Sequence, residues 1–582
     1  MSLGVGLTAV PARAVTTLSV DLSTPLGPVS HAASGSLYGV TETLPANVNG
    51  LVAPLHPNMF TNPAANVQQP RGDAIVVAGR LATTGARVTI RLADWFPSWP
   101  YAFTNVNDWF DKLSQTVSRK QAAAADNFYG YEIWNEPDGT WKNSLSFNDF
   151  WKATYDKLRA LDPTAKIIGP SYSYYDSSKL NSFLSFAKTN SCLPDIVSWH
   201  ELSGGNLTAN FQGYRALEQQ LGIGPLPISI NEYSGKDDLT VEGQPGASAP
   251  MIAKFERFRI DSACISYWDV AHAGRLGSLL ATDTAPNGGW WFYKWYGDMS
   301  GSMVSTTPPT PSSPSALDGF ANLDATSGFA SVALGGTNDG SVNVVVKGFS
   351  AAPFFGASAH AVVEKTPFVN RSTAVSATTT LSTADYAISG DTISVPITGT
   401  NATDGYRVYL TPTGGFSGSG GAGSGGSAGA AAGAANAGHG GGSGASGRAG
   451  GAGGRRSGGG GEGGGAQSTG GAGAANVGGI AGSLQTGERG GSSSGAAATG
   501  GAIAMGGAVA ATRAGTSGSA AITGGQGAAP SGSGGAGHGA RPSDTSDSGC
   551  ACSTRRARHT PTPATAVLVF AAWFCRRRGS RR

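Results

Sequence analysis

Apolar positions in the first half of the chain alternate between two patterns. Short, nearly continuous apolar runs are typical of strands buried on both faces, and between them lie segments with helical periodicity. Strands are predicted at 36–40, before 71, and at 87–92, 130–134, 166–169, 196–200, 227–232 and 263–269. Helices are predicted at 73–84, 107–125, 146–161, 178–190, 208–221, 249–260 and 290–296. Eight such units predict an α/β fold, a (β/α)8 TIM barrel over residues 36–305.

The apolar period changes to two between residues 315 and 412. Short alternating runs separated by Gly, Asn and Asp turns predict a small antiparallel β-sandwich there. Its strands are predicted at 329–334, 341–346, 359–364, 392–397 and 406–410. Within the segment 15–35, residues 16–22 predict a further strand that could join this sandwich. The proline-rich stretch 308–314 is interpreted as the hinge between the two units.

Composition separates the rest of the chain from these two units. Residues 414–549 are almost entirely Gly, Ala and Ser, too poor in apolar bulk to offset the entropy of ordering, so a disordered tether is predicted. Residues 1–14 contain a short apolar run and a small-residue Ala-Arg-Ala site, which we interpret as the remnant of a signal peptide. An ordinary loop leading into the first strand is the alternative.

The segment 550–582 combines Cys550-Ala551-Cys552, an apolar run at 564–575 and a cluster of arginines. This order resembles the MYXO-CTERM sorting signals of exported myxobacterial proteins. The resemblance implies export, with the protein at the cell surface, associated with the outer membrane through this tail, or released outside the cell. A low-complexity end produced by a frameshift is the alternative. The oligomeric state is left open.

Charge and cysteine content change the picture little. The net charge is +3, and the basic excess lies in the arginines after residue 554, so nucleic-acid binding is not expected. Three of the five cysteines lie in the tail, which leaves Cys192 and Cys264. A disulfide between them is possible in an exported protein, but two buried thiols are the commoner arrangement. Cys/His spacing typical of zinc sites is absent.

Two predicted strands end in a glutamate. The run Tyr-Glu-Ile-Trp-Asn-Glu-Pro-Asp (131–138) places Glu136 after the fourth strand, and Pro-Ile-Ser-Ile-Asn-Glu-Tyr (227–233) places Glu232 at the end of the seventh. The carboxyl ends of barrel strands meet at one face, where such enzymes build their active sites. Two carboxyl groups there suit glycosidic bond cleavage, one as acid and one as nucleophile or base. Asp138 and Glu201 are rival carboxylates that we rank below this pair.

These motifs resemble those of the retaining glycoside hydrolases of clan A, and the Trp-Asn-Glu-Pro, Asn-Glu-Tyr-Ser and Tyr-Trp-Asp runs are most similar to family 39. The resemblance implies that Glu136 is the acid/base and Glu232 the nucleophile. It also implies that Asn135 binds the 2-hydroxyl of the sugar. Burial and neighbouring negative charge are expected to raise the pKa of one of the two glutamates.

Further substrate-binding candidates lie at predicted strand ends. His200 could orient the nucleophile or be an ordinary core residue, and Trp268 on the eighth strand could form the floor of the sugar site or pack in the barrel. Arg91 could contact substrate, but a buried pair with Glu132 is the interpretation that we favour. Aromatic faces just beyond strand ends could line a cleft. Those candidates are Tyr233, Trp95, Trp99 and Trp141.

The sequence therefore predicts a retaining glycoside hydrolase that cleaves β-glycosidic bonds of a plant or microbial polysaccharide or oligosaccharide. Resemblance to family 39 implies β-xylosidase-like activity. No cofactor and no metal are expected, because two carboxyl groups suffice for double displacement. The alternative is a catalytically silent carbohydrate-binding or adhesion protein at the cell surface.

Overall fold

The computed structural model describes residues 16–69, 71–202, 205–235, 239–268 and 272–415. The predicted signal remnant, all of the predicted tether except residues 414 and 415, and the predicted sorting tail lie outside these ranges. Within the described ranges, no helix combines the length and the apolar character that crossing a membrane requires.

Eight parallel strands form a closed barrel, which confirms the predicted fold. The second strand lies at 59–63, inside the stretch rich in Pro and Asn where the apolar pattern is weakest. The eighth strand ends at Ile265, so Trp268 lies in the loop after the strand and not on it. The barrel strands are β2 (Gly35–Leu37), β3 (Met59–Pro63), β4 (Arg87–Arg91), β5 (Phe128–Glu132), β6 (Lys166–Tyr172), β7 (Ile196–Glu201), β8 (Ile228–Tyr233) and β9 (Ser262–Ile265).

Helices follow the barrel strands and cover their outer faces. Several begin at a polar side chain that accepts a hydrogen bond from a backbone N–H of the first turn, which stabilises the helix start. These capping residues are Asp73, Asn105, Ser146, Asp176 and Asn206. The described helices are α1 (Val48–Leu51), α2 (Ala74–Leu81), α3 (Val106–Ala122), α4 (Pro137–Thr140), α5 (Phe147–Leu161), α6 (Ser177–Thr189), α7 (Leu207–Leu221), α8 (Pro245–Arg257) and α9 (Gly288–Gly297).

The remaining strands form one nine-stranded sheet with a shared apolar core, and all its strand pairs but one are antiparallel. The exception is the parallel pair β1–β13, and β1 also pairs with β10, so the N-terminal strand joins this sheet. The strands are β1 (Thr16–Pro28), β10 (Ser302–Thr307), β11 (Asp318–Asp324), β12 (Phe329–Gly335), β13 (Ser341–Lys347), β14 (Ser358–Thr366), β15 (Thr379–Ala387), β16 (Thr392–Thr398) and β17 (Gly405–Pro412).

The interpretation of residues 308–314 as a hinge between two units is wrong. Strand β10 precedes this stretch and pairs with β11, which follows it, so the prolines connect two neighbouring strands of the same sheet. Proline marks the interruption of a strand but does not distinguish a linker from a loop inside a sheet.

Barrel and sheet contact each other through helix α8. Lys254 on this helix lies 3.0 Å from the carboxylate of Asp318 at the start of β11, and both side chains are almost completely buried. Arg257, one turn further along, pairs with the same carboxylate. A buried charge needs such partners, so this contact fixes the sheet against the barrel.

Both cysteines of the described ranges are buried free thiols, Cys192 after α6 and Cys264 on β9. This confirms the commoner of the two arrangements that the sequence left open.

Candidate active site

Glu136 lies in the turn between β5 and the short helix α4. Its backbone is in the left-handed region, with φ of 52°, a conformation that costs a non-glycine residue about 1–2 kcal/mol. Its N–H donates to the carbonyl oxygen of Ser171 on β6 at 2.9 Å, and its carbonyl oxygen accepts from the Thr140 hydroxyl at 2.9 Å. Fixed at both ends, this turn presents the carboxyl group at the carboxyl end of the barrel.

Glu232 lies on β8 with its side chain completely buried. Its Oε1 accepts a hydrogen bond from Nη1 of Arg91 at 2.8 Å. Its Oε2 accepts one from the indole Nε1 of Trp268 at 2.5 Å. Both oxygens of the carboxylate are therefore occupied by donors, one of which carries a full positive charge, and this favours the ionised form.

His200, at the end of β7, connects the two glutamates. Its Nδ1 lies 3.0 Å from Oε1 of Glu136, and its Nε2 lies 3.7 Å from Oε1 of Glu232. The imidazole is completely buried. One rigid ring thus faces both carboxyl groups, which brings together three residues that the sequence places on three separate strands.

The two glutamates differ in their protonation. Burial raises the pKa of Glu136, and the negative charge of Glu232 adds to this, although the hydrogen bond from His200 opposes it. Burial alone would also raise the pKa of Glu232, but the positive charges of His200 and Arg91 and the hydrogen bond from Trp268 outweigh it and lower that pKa. The pair therefore consists of one proton donor and one carboxylate.

His200 itself favours the charged form. Burial alone would lower the pKa of His200, but the carboxylate of Glu232 and the hydrogen bond to Glu136 outweigh burial and raise it. A protonated imidazole donates from both nitrogens, so it can donate to Glu136 while its charge stabilises Glu232.

Arg91 bridges two buried carboxylates. Its Nε donates to Oε2 of Glu132 at 2.9 Å, and its Nη1 serves Glu232. This confirms the predicted pair of Arg91 with Glu132. The guanidinium is completely buried behind Glu232, so Arg91 supports the carboxylate and does not line the open mouth.

A second polar cluster lies next to these residues. The buried carboxylate of Asp94 accepts hydrogen bonds from the hydroxyl of Tyr38 at 2.7 Å and from that of Tyr101 at 3.0 Å. The Oδ1 atom of Asn135 is buried and has no hydrogen-bond partner among the described residues. Asn135 therefore lies beside Glu136 with a buried Oδ1 that no described residue binds, and its contact with a sugar hydroxyl stays a prediction.

The backbone of Trp268 is bound by Glu242, a buried residue of the loop after β8. The carboxylate of Glu242 accepts from the backbone N–H of Trp268 at 3.0 Å and from the hydroxyl of Ser278 at 3.1 Å. The hydroxyl of Ser266 donates to it as well. These bonds fix the loop that points the indole N–H at Glu232.

A cavity of about 160 Å³ lies next to the turn that carries Glu136; Thr140, which binds the carbonyl oxygen of Glu136, lines it, but Glu136 itself does not. Tyr101, Trp134 and Trp141 form aromatic walls, and Lys142 and Asn143 add polar groups. Trp141 thus lines a recess, as the sequence predicts for it. Aromatic faces with a few polar groups suit a sugar ring.

Two predicted substrate-binding residues lie elsewhere. The hydroxyl of Tyr233 contacts that of Tyr293 on α9 at 2.6 Å, because Tyr233 follows Glu232 on the strand and points to the opposite side, towards the helices. The indole of Trp95 donates to Thr116 on α3 at 2.7 Å. Both residues therefore contact helices in this structure, and their predicted contacts with substrate gain no support from its geometry.

The rival carboxylates also have partners of their own. Asp138 accepts from the backbone N–H and the hydroxyl of Ser173 and lies 3.1 Å from Lys179. Glu201 is buried and accepts from the indole of Trp199 at 2.8 Å, and burial raises its pKa to about 7. Neither contacts the pair of Glu136 and Glu232.

Sequence reasoning missed Tyr38, Asp94 and Glu242. Tyr38 directly follows β2 and Asp94 lies in the short turn after β4, so their positions at the mouth could have been predicted from the barrel order. Glu242 lies in a loop, and no local pattern predicts its contact with Trp268. Within the described ranges, no group of three His, Cys, Asp or Glu side chains is placed to hold a metal ion, and metal-free catalysis stays a prediction.

A closed barrel with an acidic and an ionised glutamate at the ends of its fourth and seventh strands has the architecture of a retaining glycoside hydrolase of clan A. No family model matches the chain. The solved structure of N2152 from Neocallimastix frontalis is 48% identical and covers 68% of this chain and 100% of its own, with a TM-score of 0.67. The chain therefore belongs to the family of N2152.

Curated relatives agree with this class. Sequence identity is 27% to a 3-O-beta-L-arabinopyranosyl-alpha-L-arabinofuranosidase of Bifidobacterium pseudocatenulatum, over 69% of this chain and 48% of the relative. Sequence identity is also 27% to a 3-O-alpha-D-galactosyl-alpha-L-arabinofuranosidase of Bifidobacterium longum subsp. longum, over 71% of this chain and 42% of that relative. The chain thus spans about half the length of the curated relatives that it matches.

A family 39 enzyme from Xanthomonas axonopodis pv. citri shares the fold. Its structure is 16% identical and covers 70% of this chain and 100% of its own, with a TM-score of 0.51. At this identity the likeness extends to the fold and not to the substrate.

Proposed function

We propose that this protein is a retaining glycoside hydrolase with Glu136 as acid/base and Glu232 as nucleophile. The observation that carries the proposal is the imidazole of His200 placed between the two carboxyl groups, 3.0 Å from one and 3.7 Å from the other. The opposite pKa shifts of the two glutamates agree with it. A site built only for binding has no need of one protonated and one ionised carboxyl group at this spacing.

In the first step, Glu232 attacks the anomeric carbon while Glu136 gives its proton to the departing glycosidic oxygen, and a covalent glycosyl ester forms on Glu232. In the second step, Glu136 takes a proton from water, the water oxygen attacks the anomeric carbon, and the ester bond breaks. Glu232 leaves as a carboxylate and Glu136 is protonated again. Two inversions retain the configuration of the sugar.

Arg91 and Trp268 keep Glu232 ionised and oriented for attack, and they stabilise the carboxylate again when the ester breaks. His200 hydrogen-bonds Glu136 and lies 3.7 Å from Glu232, so it orients the acid/base and its charge stabilises the nucleophile. Asn135, next to the acid, would bind the 2-hydroxyl of the sugar, and its position beside Glu136 in the chain supports this role.

For the substrate, we propose terminal α-L-arabinofuranosyl groups, including groups that carry a second sugar at O3. Both curated relatives are α-L-arabinofuranosidases that act on units substituted at O3, and this supports the choice. The β-xylosidic linkage implied by the family 39 motifs is the second candidate. Both substrates are cleaved by the same pair of carboxyl groups, so loops around the mouth decide between them.

The test uses the full-length protein and a panel of aryl glycosides that includes α-L-arabinofuranosides and β-D-xylosides. The wild type should hydrolyse an arabinofuranoside with retention, observed by following the anomeric proton by NMR. Glu232→Ala should lose this activity and, with azide, form a glycosyl azide of inverted configuration. Glu364→Gln, a change in the nine-stranded sheet, is the matched control and should keep the rate.

Hydrolysis with inversion, or a Glu232→Ala variant with wild-type turnover, contradicts the proposed roles. A wild type that binds oligosaccharides but cleaves none supports instead the alternative of a silent carbohydrate-binding protein. Faster cleavage of the xyloside than of the arabinofuranoside would favour the second candidate.

We also propose that the protein is exported and held at the cell envelope through its C-terminal tail. The order of cysteine motif, apolar run and arginines in residues 550–582 supports this. Fractionation of cells that produce the full chain and a chain ending at residue 549 tests it. Equal distribution of the two forms would contradict a sorting function of the tail.

A further inference from the structure

Arg71 follows the second barrel strand and lies at the mouth of the site. Its guanidinium carbon is 5.1 Å from the ring centre of Tyr38, 5.5 Å from that of Tyr267 and 5.8 Å from that of Trp268. Tyr38 binds Asp94, and Trp268 binds the carboxylate of Glu232. The guanidinium therefore lies against the same side chains that surround the predicted nucleophile.

The guanidinium has no hydrogen-bond or ion-pair partner among the residues that the structure describes. Only the backbone of Arg71 is bound, with its carbonyl oxygen accepting from Nδ2 of Asn62 at 3.1 Å. The acidic group whose charge acts on Arg71 is Asp94, and its two oxygens already accept from tyrosine hydroxyls. Arg71 differs in this from the other arginines near the barrel mouth.

Arg91 and Arg80, by contrast, donate hydrogen bonds to acceptors of the protein, although Nη2 of Arg91 has no partner among the described residues. Arg91 pairs with two carboxylates. Arg80 on α2 donates to backbone carbonyl oxygens of the loop after β2. Both guanidinium groups are bound by the protein itself, whereas the donors of Arg71 have no acceptor in the described ranges.

A half-buried guanidinium without hydrogen-bond acceptors costs free energy, and a ligand that accepts its hydrogen bonds would offset this cost. A guanidinium carries five N–H donors, and a half-buried charge loses part of its hydration. The three aromatic faces offset part of this loss through cation–π attraction. The rings contact the guanidinium without accepting a hydrogen bond of ordinary strength, so its N–H groups stay available to a molecule in the mouth.

We propose that Arg71 binds the sugar that is transferred to Glu232, by donating hydrogen bonds to its hydroxyl oxygens. This inference rests on the proposed function and extends it to the recognition of the sugar. The ligand class is a neutral sugar. Glu132, Glu232 and Asp94 already place three carboxyl groups around Arg91 and Arg71, so a substrate carboxylate would add like charge to a crowded site.

Arg71→Ala and Arg71→Lys in the full-length protein test the inference. With the best aryl glycoside of the wild type, we expect kcat/KM to fall about 10- to 100-fold for Arg71→Ala, as the loss of charged hydrogen bonds predicts. Arg71→Lys should recover only part of the lost kcat/KM, because a lysine ammonium lacks the planar, paired N–H donors of a guanidinium. The loss should be equal for substrates that differ only in the aryl leaving group.

Rescue separates binding from a structural role. Guanidinium ion at millimolar concentration should restore part of the activity of Arg71→Ala, because it can occupy the space between the rings. It should not stimulate the wild type or Arg215→Ala, a matched change on the outer helix α7. Melting temperature should stay close to that of the wild type.

The inference is overturned if Arg71→Ala keeps the wild-type kcat/KM. It is also overturned if the variant loses activity that guanidinium does not restore and its melting temperature falls as well. An aryl uronide cleaved faster than the neutral glycosides, with that preference lost in Arg71→Ala, would also overturn it by assigning Arg71 to a carboxylate.

Calorimetric titration with L-arabinose and with D-xylose separates this test from the proposed function. If the wild type binds one of them but cleaves no glycoside, the proposed function fails, and loss of binding in Arg71→Ala still supports the inference. Unchanged binding in the variant overturns the inference in either case.

Discussion

Arg91 donates a hydrogen bond to Glu232 across 2.8 Å, and both side chains are completely buried. The same guanidinium also binds Glu132, so one cation lies between two carboxyl groups that would otherwise repel each other inside the barrel. This arrangement keeps Glu232 ionised without access to water. It makes Arg91 the residue on which the charge state of the site depends.

Arg91→Met should therefore impair both activity and stability. Removing one partner of a buried ion pair typically costs about 3–5 kcal/mol, and urea unfolding measures this loss. Because Arg91 lowers the pKa of Glu232, its removal raises that pKa. Activity requires ionised Glu232, so the acidic limb of the pH–rate profile should move to higher pH. An unmoved acidic limb would show that Arg91 does not control the charge of Glu232.

Glu136→Ala should slow hydrolysis most where the leaving group is poor. General acid catalysis contributes typically about 10²–10⁴-fold, and a good aryl leaving group needs little of it. Rates for a series of aryl glycosides should therefore depend more steeply on the pKa of the phenol in the variant. The basic limb of the wild-type profile should disappear, since the raised pKa of Glu136 produces it. An equal loss for all leaving groups would contradict the acid role.

Trp268→Phe removes one hydrogen bond to Glu232 and keeps an aromatic face. A hydrogen bond to a charged group contributes about 1.5–3 kcal/mol, so kcat should fall at least about tenfold, and the acidic limb should shift upwards. Trp95→Phe is the matched control, because the indole of Trp95 donates to Thr116 outside the site. It should keep kcat, and activity loss there would restore Trp95 as a substrate contact.

Glu201→Gln should change how stability depends on pH. The folded-state pKa of Glu201 is about 7, above its ordinary value of 4.5, so the folded protein binds this proton more tightly than the unfolded chain. The stability that protonated Glu201 contributes is complete below about pH 4.5 and is lost as pH rises towards 7.

Glutamine at position 201 keeps an oxygen that accepts from Trp199, but it does not ionise, so the variant does not lose stability as pH rises. The variant should therefore be more stable than the wild type at pH 8, by at most about 3 kcal/mol, and similar to it at pH 4. Urea unfolding at both pH values measures the difference. Equal stability at pH 8 would show that Glu201 does not carry a raised pKa.

Asp318→Asn tests the contact between the barrel and the nine-stranded sheet. Lys254, almost completely buried, would lose its carboxylate partner, and the free energy of unfolding should fall by about 3 kcal/mol or more. Asp298→Asn, in the exposed pair with Lys294, is the control and should cost about 1 kcal/mol or less. Two separate unfolding transitions in Asp318→Asn would show that this pair couples the two parts.

The sequence by itself determined the barrel, the sheet and the two glutamates. Their patterns are local: continuous apolar runs mark buried strands, alternation marks the sheet, and position in the strand order places Glu136 and Glu232 at one face. The pair of Arg91 with Glu132 also follows from neighbouring strands, because both end at the same level of the barrel.

Only the tertiary structure decided which aromatic residues face the site. Tyr233 and Trp95 lie next to functional positions in the chain, but the alternation of the strand and the turn after β4 direct them to the helices. Glu242 and Arg71 reach the site through contacts between segments far apart in sequence. Such contacts depend on loop paths and side-chain directions, which local hydrophobic patterns do not encode.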